Sequence, residues 1–349
     1  MAPRRQSAAP GRGVRVPAFR RHAAESLVEM LRPGMRVALT THVNADGDGC
    51  GSVVALWHLL MDRSVRAAIT NPTPFPERYR FLLKGAERAD KSAEAVKHLQ
   101  RADAIIVTDI SDLGRLGHLG RIIEQVTAPV ACIDHHASEG VLPGGPRLVD
   151  PAACATGELI YDLAQTAGWT ITQEAARALY VAIMTDTGGF RFSNTTPRAL
   201  QVAAHLLAHG LDPEEAYRHV YASESEGRIR LIAEVLDTLV VEPQYGLAWV
   251  TVPPGALERH GLQPDDLEGV VEYPRSLRDV RLALLFRPLA NGRVKVSFRS
   301  MGSVDSASLA ERFGGGGHRK AAGASLAGDM AEVQSLVLAA ARRLCAGRS

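Results

Sequence analysis

The chain has 349 residues, room for two or three domains of roughly 100–200 residues each, and its apolar content is high enough for ordinary buried cores. Its net charge of +2 argues against a broad basic face that wraps long nucleic acid and leaves open a small anionic substrate held by a few placed groups. No apolar run reaches the ~18–20 residues of a membrane span. The four cysteines (Cys50, Cys132, Cys154, Cys345) lie far apart with no Cys-x-x-Cys, the pattern of reduced thiols in a cytosolic protein; the expectation is a cytoplasmic chain with no membrane partner.

The first eighteen residues mix arginines with Pro3, Pro10, Gly11, Gly13 and Pro17 around no apolar stretch, so residues 1–18 read as a disordered tail and not as a secretory signal. Phe19 to Leu31 has helical spacing and stops at Pro33-Gly34. Met35 to Thr41 reads as a buried strand, His42 to Gly51 as a loop, and Ser52 to Met61 as an almost wholly apolar helix. Val65 to Thr70 is the next strand and Asn71 to Pro76 a Pro-rich loop. Ser92 to Leu99 (helix), Ala104 to Asp109 (strand), Ile122 to Val126 (helix) and Pro129 to Ile133 (strand) continue the alternation, followed by a loop from His135 to Pro146. Such alternation predicts βαβ units and an α/β domain with a doubly wound, mostly parallel sheet. Gly157 to Ala167, Gln173 to Met184 and Thr196 to His209 read as helices, and Asp212-Pro213-Glu214-Glu215 starts another, with Asp as N-cap and Pro at N1.

Composition shifts after Tyr221. Ser223 to Val241 reads as a charged amphipathic helix, which makes residues 223–242 a helical connector after a first domain at 19–222. Leu247 to Val252, Val280 to Arg287 and Arg293 to Arg299 are β-rich, with helices near Asp265 to Val271, Ser306 to Phe313 and Met330 to Leu344. Residues 243–349 therefore read as a smaller α+β domain.

Four acidic or His clusters end apolar runs: Thr40-Thr41-His42-Val43-Asn44-Ala45-Asp46-Gly47-Asp48, Thr108-Asp109, Asp134-His135-His136 and Thr185-Asp186-Thr187-Gly188-Gly189. Ligands in open α/β sheets sit just past the carboxyl ends of strands, so all four are expected at one sheet edge. His42, Asp46 and Asp48 share a tight loop in this reading, with Gly47, Gly49 and Gly51 permitting positive φ and close approach to a ligand. Carboxylates two residues apart repel unless a cation lies between them. Asp109, His135 and Asp186 bring the set to four carboxylates and two imidazoles. Oxygen-rich sites with some imidazole suit Mn²⁺, Mg²⁺ or Fe²⁺ and not a structural zinc. Six ligands are too many for one catalytic ion with open positions and suit a two-metal site that activates water and clamps a phosphoryl group.

The second domain carries Phe313-Gly314-Gly315-Gly316-Gly317-His318-Arg319-Lys320-Ala321-Ala322-Gly323. A Gly run entering a helix with basic residues can cradle an anion on backbone N–H groups. Gly315, Gly316, Gly317 and His318 are therefore substrate-binding candidates. Ser297-Phe298-Arg299-Ser300 ends a strand, and Arg299, with Ser300 beside it, is a candidate for bidentate phosphate contact.

Together these residues resemble the DHH phosphoesterase superfamily over nearly the whole chain past the tail, with the motifs in family order. His-x-x-x-Asp-x-Asp is His42, Asp46 and Asp48; the lone motif Asp is Asp109; the name motif is Asp134-His135-His136; Asp-Thr-Gly-x-Phe is Asp186 to Phe190. The Gly-Gly-Gly-His…Ala-Ala-Gly signature of the family's associated C-terminal domain spans Gly315 to Gly323. Ala45 stands where the family often has Pro, which leaves the ligand positions intact. The resemblance implies two Mn²⁺ per chain, with Mg²⁺ or another divalent ion as substitute. It implies His42, Asp46 and Asp109 on one ion, Asp48, Asp109, His135 and Asp186 on the other, and Asp109 bridging. His136 would face the scissile phosphate as donor or general acid, with Asp134 behind the ligands. Arg191, beside the fourth motif, joins the substrate-binding candidates.

Within the superfamily the two-domain layout is similar to the RecJ-like branch of oligoribonucleases (nanoRNases) and 3′-phosphoadenosine-5′-phosphate phosphatases. The function implied is hydrolysis of very short oligoribonucleotides to mononucleotides and of the nucleotide bisphosphate to AMP. Cyclic-di-AMP or linear dinucleotide phosphodiesterase activity is the alternative, and a non-catalytic nucleotide sensor on the same fold is the rival from another class. The partners implied are short RNA, dinucleotides and nucleotide bisphosphates, with no track for long nucleic acid; a homodimer is compatible with the reading.

Overall fold

The computed structural model describes residues 13–86, 92–137, 140–289 and 292–347. Residues 1–12 of the expected tail lie outside these. Residues 13–17 depart from the expectation: Val14 N–H donates to Tyr161 Oη (2.9 Å), and the Arg15 carbonyl accepts from Arg198 (3.0 Å), so this end of the segment is tied down. The described chain divides after Ser223 into two compact units.

The first unit is built on a parallel sheet of β1 (Arg36–Thr40), β2 (Arg66–Ile69), β3 (Ala104–Thr108), β4 (Val130–Asp134) and β5 (Arg147–Val149), in the order β2-β1-β3-β4-β5. β3 is buried at every position, as a central parallel strand covered on both faces must be. β5 has three residues, too few to show a periodicity in the sequence, and takes its place by register with β4 (Cys132 opposite Arg147). Around the sheet run α1 (Ala18–Met30), α2 (Gly47–Met61), α3 (Ser92–Arg101), α4 (His118–Ile123), α5 (Thr156–Thr166), α6 (Gln173–Asp186), α7 (Pro197–Leu207) and α8 (Pro213–Tyr221). α8 starts as its signal requires, with Asp212 accepting from Glu214 N–H.

α2 is buried almost all round, as a helix without a polar face has to be. It begins five residues earlier than the apolar run suggests, because the Asp46 carboxylate caps it by accepting from Asp48 and Gly49 N–H groups (3.0 and 3.1 Å). Asp48 is therefore helical and not part of a loop. Gly47, Gly49 and Gly51 do not have positive φ. Their role is close helix approach: a Cβ on Gly51 would lie 2.4 Å from the Ala178 carbonyl of α6. A buried ion cluster locks α1 to α5, with Arg20 donating to Asp150 (2.6 Å), Glu158 (2.6 Å) and Asp162 (2.9 Å).

The second unit is a six-stranded sheet of β6 (Val240–Glu242), β7 (Leu247–Thr251), β8 (Leu282–Leu289), β9 (Arg293–Ser300), β10 (Gly316–His318) and β11 (Ala321–Ala327), ordered β10-β11-β9-β8-β7-β6. Only β7 and β8 pair in parallel. Leu282, Leu284 and Phe286 alternate onto one face, with Val294, Val296 and Phe298 and with Val337 and Ala341 of α13 (Met330–Ala346). Ala283 and Leu285 point to the other face, into a core shared with Leu231, Ile232 and Val235 of α9 (Glu226–Leu236).

Ser223 to Val241 is thus not one connecting helix. α9 buries its apolar stripe in the second unit's core, and Val240–Glu242 forms an edge strand. The Gly-rich run also departs from expectation. It follows α12 (Ser306–Glu311) and enters β10, not a helix. β10 and β11 form a hairpin, with Gly316 opposite Gly323 and Gly317 opposite Ala322. Glycine is required there: Gly317 has φ +143°, and a Cβ on Gly315 would lie 2.2 Å from the Gly323 carbonyl. Among the described residues no helix is long and apolar enough to cross a membrane.

Candidate metal centre

Each strand of the first sheet that is flanked on both sides releases a polar side chain at its C-terminal end. His42 follows β1, Asp109 follows β3, and Asp134, His135 and His136 end β4. Asp46 and Asp48 come from the N-terminus of α2. Asp186 is the last residue of α6, so it reaches the cluster from a helix end and not from the sheet edge.

Asp109 is central. It adopts φ +59°, a left-handed conformation that costs a non-glycine residue on the order of 1–2 kcal/mol and is held by its N–H bond to Ile133 (3.0 Å). Its Oδ2 lies 3.5 Å from His42 Nε2, and its Oδ1 lies 3.7 Å from both His135 Nε2 and His136 Nδ1. His135 Nε2 is also 3.7 Å from Asp48 Oδ2 and 3.6 Å from Asp186 Oδ2. His42 Nε2 is 3.8 Å from Asp46 Oδ1. Three sets result, each able to bring its ligand atoms within 4.8 Å of one another: His42, Asp46 and Asp109; Asp48, His135 and Asp186; and Asp109, His135 and His136.

The electrostatics demand a cation. His42 Nδ1 lies 2.9 Å from the Val43 carbonyl, which can only accept, so Nδ1 carries the proton and Nε2 presents a lone pair to two carboxylates. Acceptors facing acceptors are stable only around a proton or a metal. Without metal the proton stays: burial opposes the charge on His42, but the hydrogen bonds to Asp109 and Asp46 outweigh it and raise its pKa to about 10. Burial and the neighbouring charges of Asp109, Asp186 and Asp46 push Asp48 well above the carboxylate range. Asp186 is raised to about 6, by burial first, with His135 working against the shift and Asp109 adding to it. A divalent ion relieves all three, and oxygen-rich donors with imidazole are its usual partners. The residues fit a divalent metal.

Helix α5 supplies support that the sequence reading missed. Thr156 N–H donates to Asp48 Oδ2 (2.6 Å), Gly157 N–H donates to Asp48 Oδ1 (2.9 Å), and the Thr156 hydroxyl donates to Asp109 Oδ1 (3.1 Å). Ser52 Oγ adds a bond to Asp48 (3.2 Å), and Asn194 Nδ2 one to Asp186 Oδ2 (3.3 Å). A helix N-terminus stabilises a carboxylate at this position. The available signal was a Thr-Gly pair opening a helix in an otherwise apolar stretch. Asp134 is fully buried behind the site, with Oδ1 2.8 Å from His136 Nδ1.

The substrate-binding candidates divide between the two units. Arg191 is exposed, and its Nε donates to the Gly188 carbonyl (2.6 Å). In the second unit Arg299 is engaged: Nε donates to Glu272 Oε1 (3.1 Å) and Nη1 to the Phe298 carbonyl (3.1 Å). Ser300 is not a ligand-facing group. It is buried, and its hydroxyl bonds to the Val304 and Arg319 carbonyls (2.9 and 3.0 Å), which fixes the turn after β9. Gly316 and Gly317 lie exposed on the sheet's edge strand, which His318 ends. Gly315, just before that strand, bonds back to the Ala310 carbonyl (3.0 Å).

A parallel sheet whose strand ends converge on carboxylates and imidazoles, in a chain that carries a second α+β unit, has the donor set of a metal-dependent phosphoesterase. The chain belongs to the DHH family: residues 36–183 match the DHH family N-terminal domain and residues 245–346 the DHHA1 domain. It is 33% identical over 308 residues to the bifunctional oligoribonuclease and PAP phosphatase NrnA of Thermus thermophilus, covering 88% of this chain and 89% of that protein. The protein of the same name from Bacillus subtilis is 28% identical over 295 residues, covering 83% and 89%. Among solved structures, an exopolyphosphatase-related protein from Bacteroides fragilis superposes with a TM-score of 0.87 at 26% identity, covering 93% of this chain and 97% of that one.

Proposed function

We propose that this chain hydrolyses very short oligoribonucleotides to mononucleotides and 3′-phosphoadenosine-5′-phosphate to AMP, using two divalent cations, Mn²⁺ by preference and Mg²⁺ as substitute. The observation that carries this reading is Asp109, whose two oxygens face two separate donor groups, at 3.5 Å from His42 and 3.7 Å from His135. His42, Asp46 and Asp109 would hold one cation, and Asp48, Asp109, His135 and Asp186 the other. When bound, such a pair supplies water activation at neutral pH and charge neutralisation on phosphoryl oxygens. The names carried by relatives that align over most of both chains support the same substrates.

The chain's own residues do the positioning and the proton work. Thr156 and Gly157 fix the planes of the Asp48 and Asp109 carboxylates. Asp134 accepts from His136 Nδ1, which leaves Nε2 of this half-exposed ring to meet a phosphate oxygen and pass a proton to the leaving group. In the second unit the exposed backbone edge at Gly316-Gly317 and Arg299, exchanging Glu272 for a phosphate, are candidates for phosphate contact. A complete ligand set argues against a sensor, which has no need to keep every carboxylate.

The test is a length series from two to twenty-four ribonucleotides at fixed Mn²⁺, run beside 3′-phosphoadenosine-5′-phosphate and cyclic-di-AMP. Dinucleotides through pentanucleotides and the bisphosphate should be hydrolysed fastest, because a net charge of +2 offers little excess positive charge to hold the rest of a polymer. Equal or faster cleavage of the longest strands would replace this reading with a long-strand exonuclease. Preference for the cyclic substrate would replace it with a cyclic-dinucleotide phosphodiesterase.

A further inference from the structure

Beyond Asp186 the chain folds back on itself within eight residues. Gly188 and Gly189 take positive φ (59° and 68°), and Asn194 closes the turn by donating to the Asp186 carbonyl (3.2 Å) and to Asp186 Oδ2 (3.3 Å). The turn lays the Phe192 ring on Gly188: a Cβ on Gly188 would lie 2.5 Å from Phe192 Cε1 and Cζ. The ring thus rests on a glycine two residues after a candidate metal ligand, yet Phe192 is 55% exposed. A ring left this open gains little from burial, so core packing does not explain it.

Its surroundings carry a consistent chemistry. Tyr217 is 54% exposed and its ring centroid lies 5.3 Å from that of Tyr221. The Tyr221 hydroxyl donates to the Met184 carbonyl (3.5 Å) and Arg191 Nε donates to the Gly188 carbonyl (2.6 Å), so both side chains meet the chain within two residues of Asp186. A guanidinium and an open aromatic face on the turn that follows Asp186 suit a nucleotide, with a cation for its phosphate and a π-face for its base. A base-free polyphosphate has nothing to offer an aromatic ring.

We propose that Phe192 is the platform on which the first unit stacks the base of the nucleotide whose phosphate lies at the carboxylates, so that the chain selects nucleotides over base-free phosphoesters. The inference rests on the phosphoesterase reading and adds the group that makes it base-dependent.

The test measures KM for the dinucleotide pApA and for two analogues, each with one base replaced by hydrogen. The intact chain should prefer pApA over one analogue roughly 5- to 30-fold, about 1–2 kcal/mol of base stacking at 1.4 kcal/mol per tenfold. Phe192→Ala and Phe192→Leu should erase that preference, and Phe192→Trp should keep it, with Mn²⁺ binding by titration calorimetry equal in all four proteins. A preference in Phe192→Ala equal to that of the unaltered chain overturns the inference, and so does a loss that Trp fails to rescue. If the unaltered chain binds Mn²⁺ but hydrolyses none of the three compounds, the phosphoesterase reading itself fails and takes this inference with it.

Discussion

His136 Nδ1 lies 2.8 Å from Asp134 Oδ1, with Asp134 fully buried and the imidazole 40% exposed. The buried carboxylate fixes the proton on Nδ1 and turns Nε2 outward. The hydrogen bond to Asp134 raises the His136 pKa, burial opposes the shift, and Asp109 adds to it. A raised pKa keeps the donor form to higher pH, so activity should fall only as pH rises through that value. Asp134→Asn removes the carboxylate charge and should move the alkaline limb of kcat to lower pH. His136→Ala should retain metal and lose about 10²–10⁴-fold in kcat, the usual contribution of a positioned acid. Loss of metal along with activity would make His136 a ligand instead.

Asp109→Ala should lose activity more completely than any other single carboxylate change. One oxygen serves the His42 side and the other the His135 side, so both donor groups lose a member at once. Titration calorimetry with Mn²⁺ should show the stoichiometry or affinity of both sites reduced, where Asp46→Ala reduces one. Near-normal turnover with full metal occupancy in Asp109→Ala would remove the dinuclear assignment.

Thr156 holds two carboxylates by different groups, its N–H on Asp48 and its hydroxyl on Asp109. Thr156→Val deletes only the hydroxyl bond and keeps the shape. Loss of such an outer partner typically costs 10–100-fold in metal affinity or activity. Thr156→Ser should stay close to the unaltered chain in both. A Ser variant as impaired as the Val variant, with unchanged circular dichroism, would assign the role to methyl packing.

Stability of the metal-free protein should carry a signature of Asp186. Its pKa rises from 3.8 to about 6 on folding, so the folded state binds the proton more tightly than the unfolded one. The sign follows: this group favours folding at low pH and loses that contribution as pH rises from about 4 through about 6. Asp48 adds a shift of the same sign. Urea titrations at pH 5 and 7.5 should show a smaller loss of stability with pH in Asp186→Asn than in the unaltered chain. Mn²⁺ should offset the loss at pH 7.5 by preferential binding to the folded state, about 2.7 kcal/mol at a hundred times Kd. Identical pH dependence in the two proteins would place Asp186 outside the crowded cluster.

The sequence by itself determined the alternation of strands and helices, because apolar runs buried on both faces admit few other readings. It also determined which side chains end those runs: His42, Asp109 and Asp134 to His136 follow strands in the fold as they do in the pattern. Other features were decided only by tertiary structure. The helix of Asp48 begins inside a glycine-rich stretch that reads as loop, because Gly49 and Gly51 are chosen for the atoms they approach, Thr41 and Asp109 for one, α6 for the other. Thr156 sits 47 residues from Asp109 and 108 from Asp48, and no local pattern records such a pairing. The glycines before His318 read in sequence as the entry to a helix and fold as a hairpin, because backbone paired with β11 is specified by a partner strand and not by composition. Residue type and spacing fix what a segment prefers to be; which polar atoms then meet depends on the packing of segments far apart in the chain.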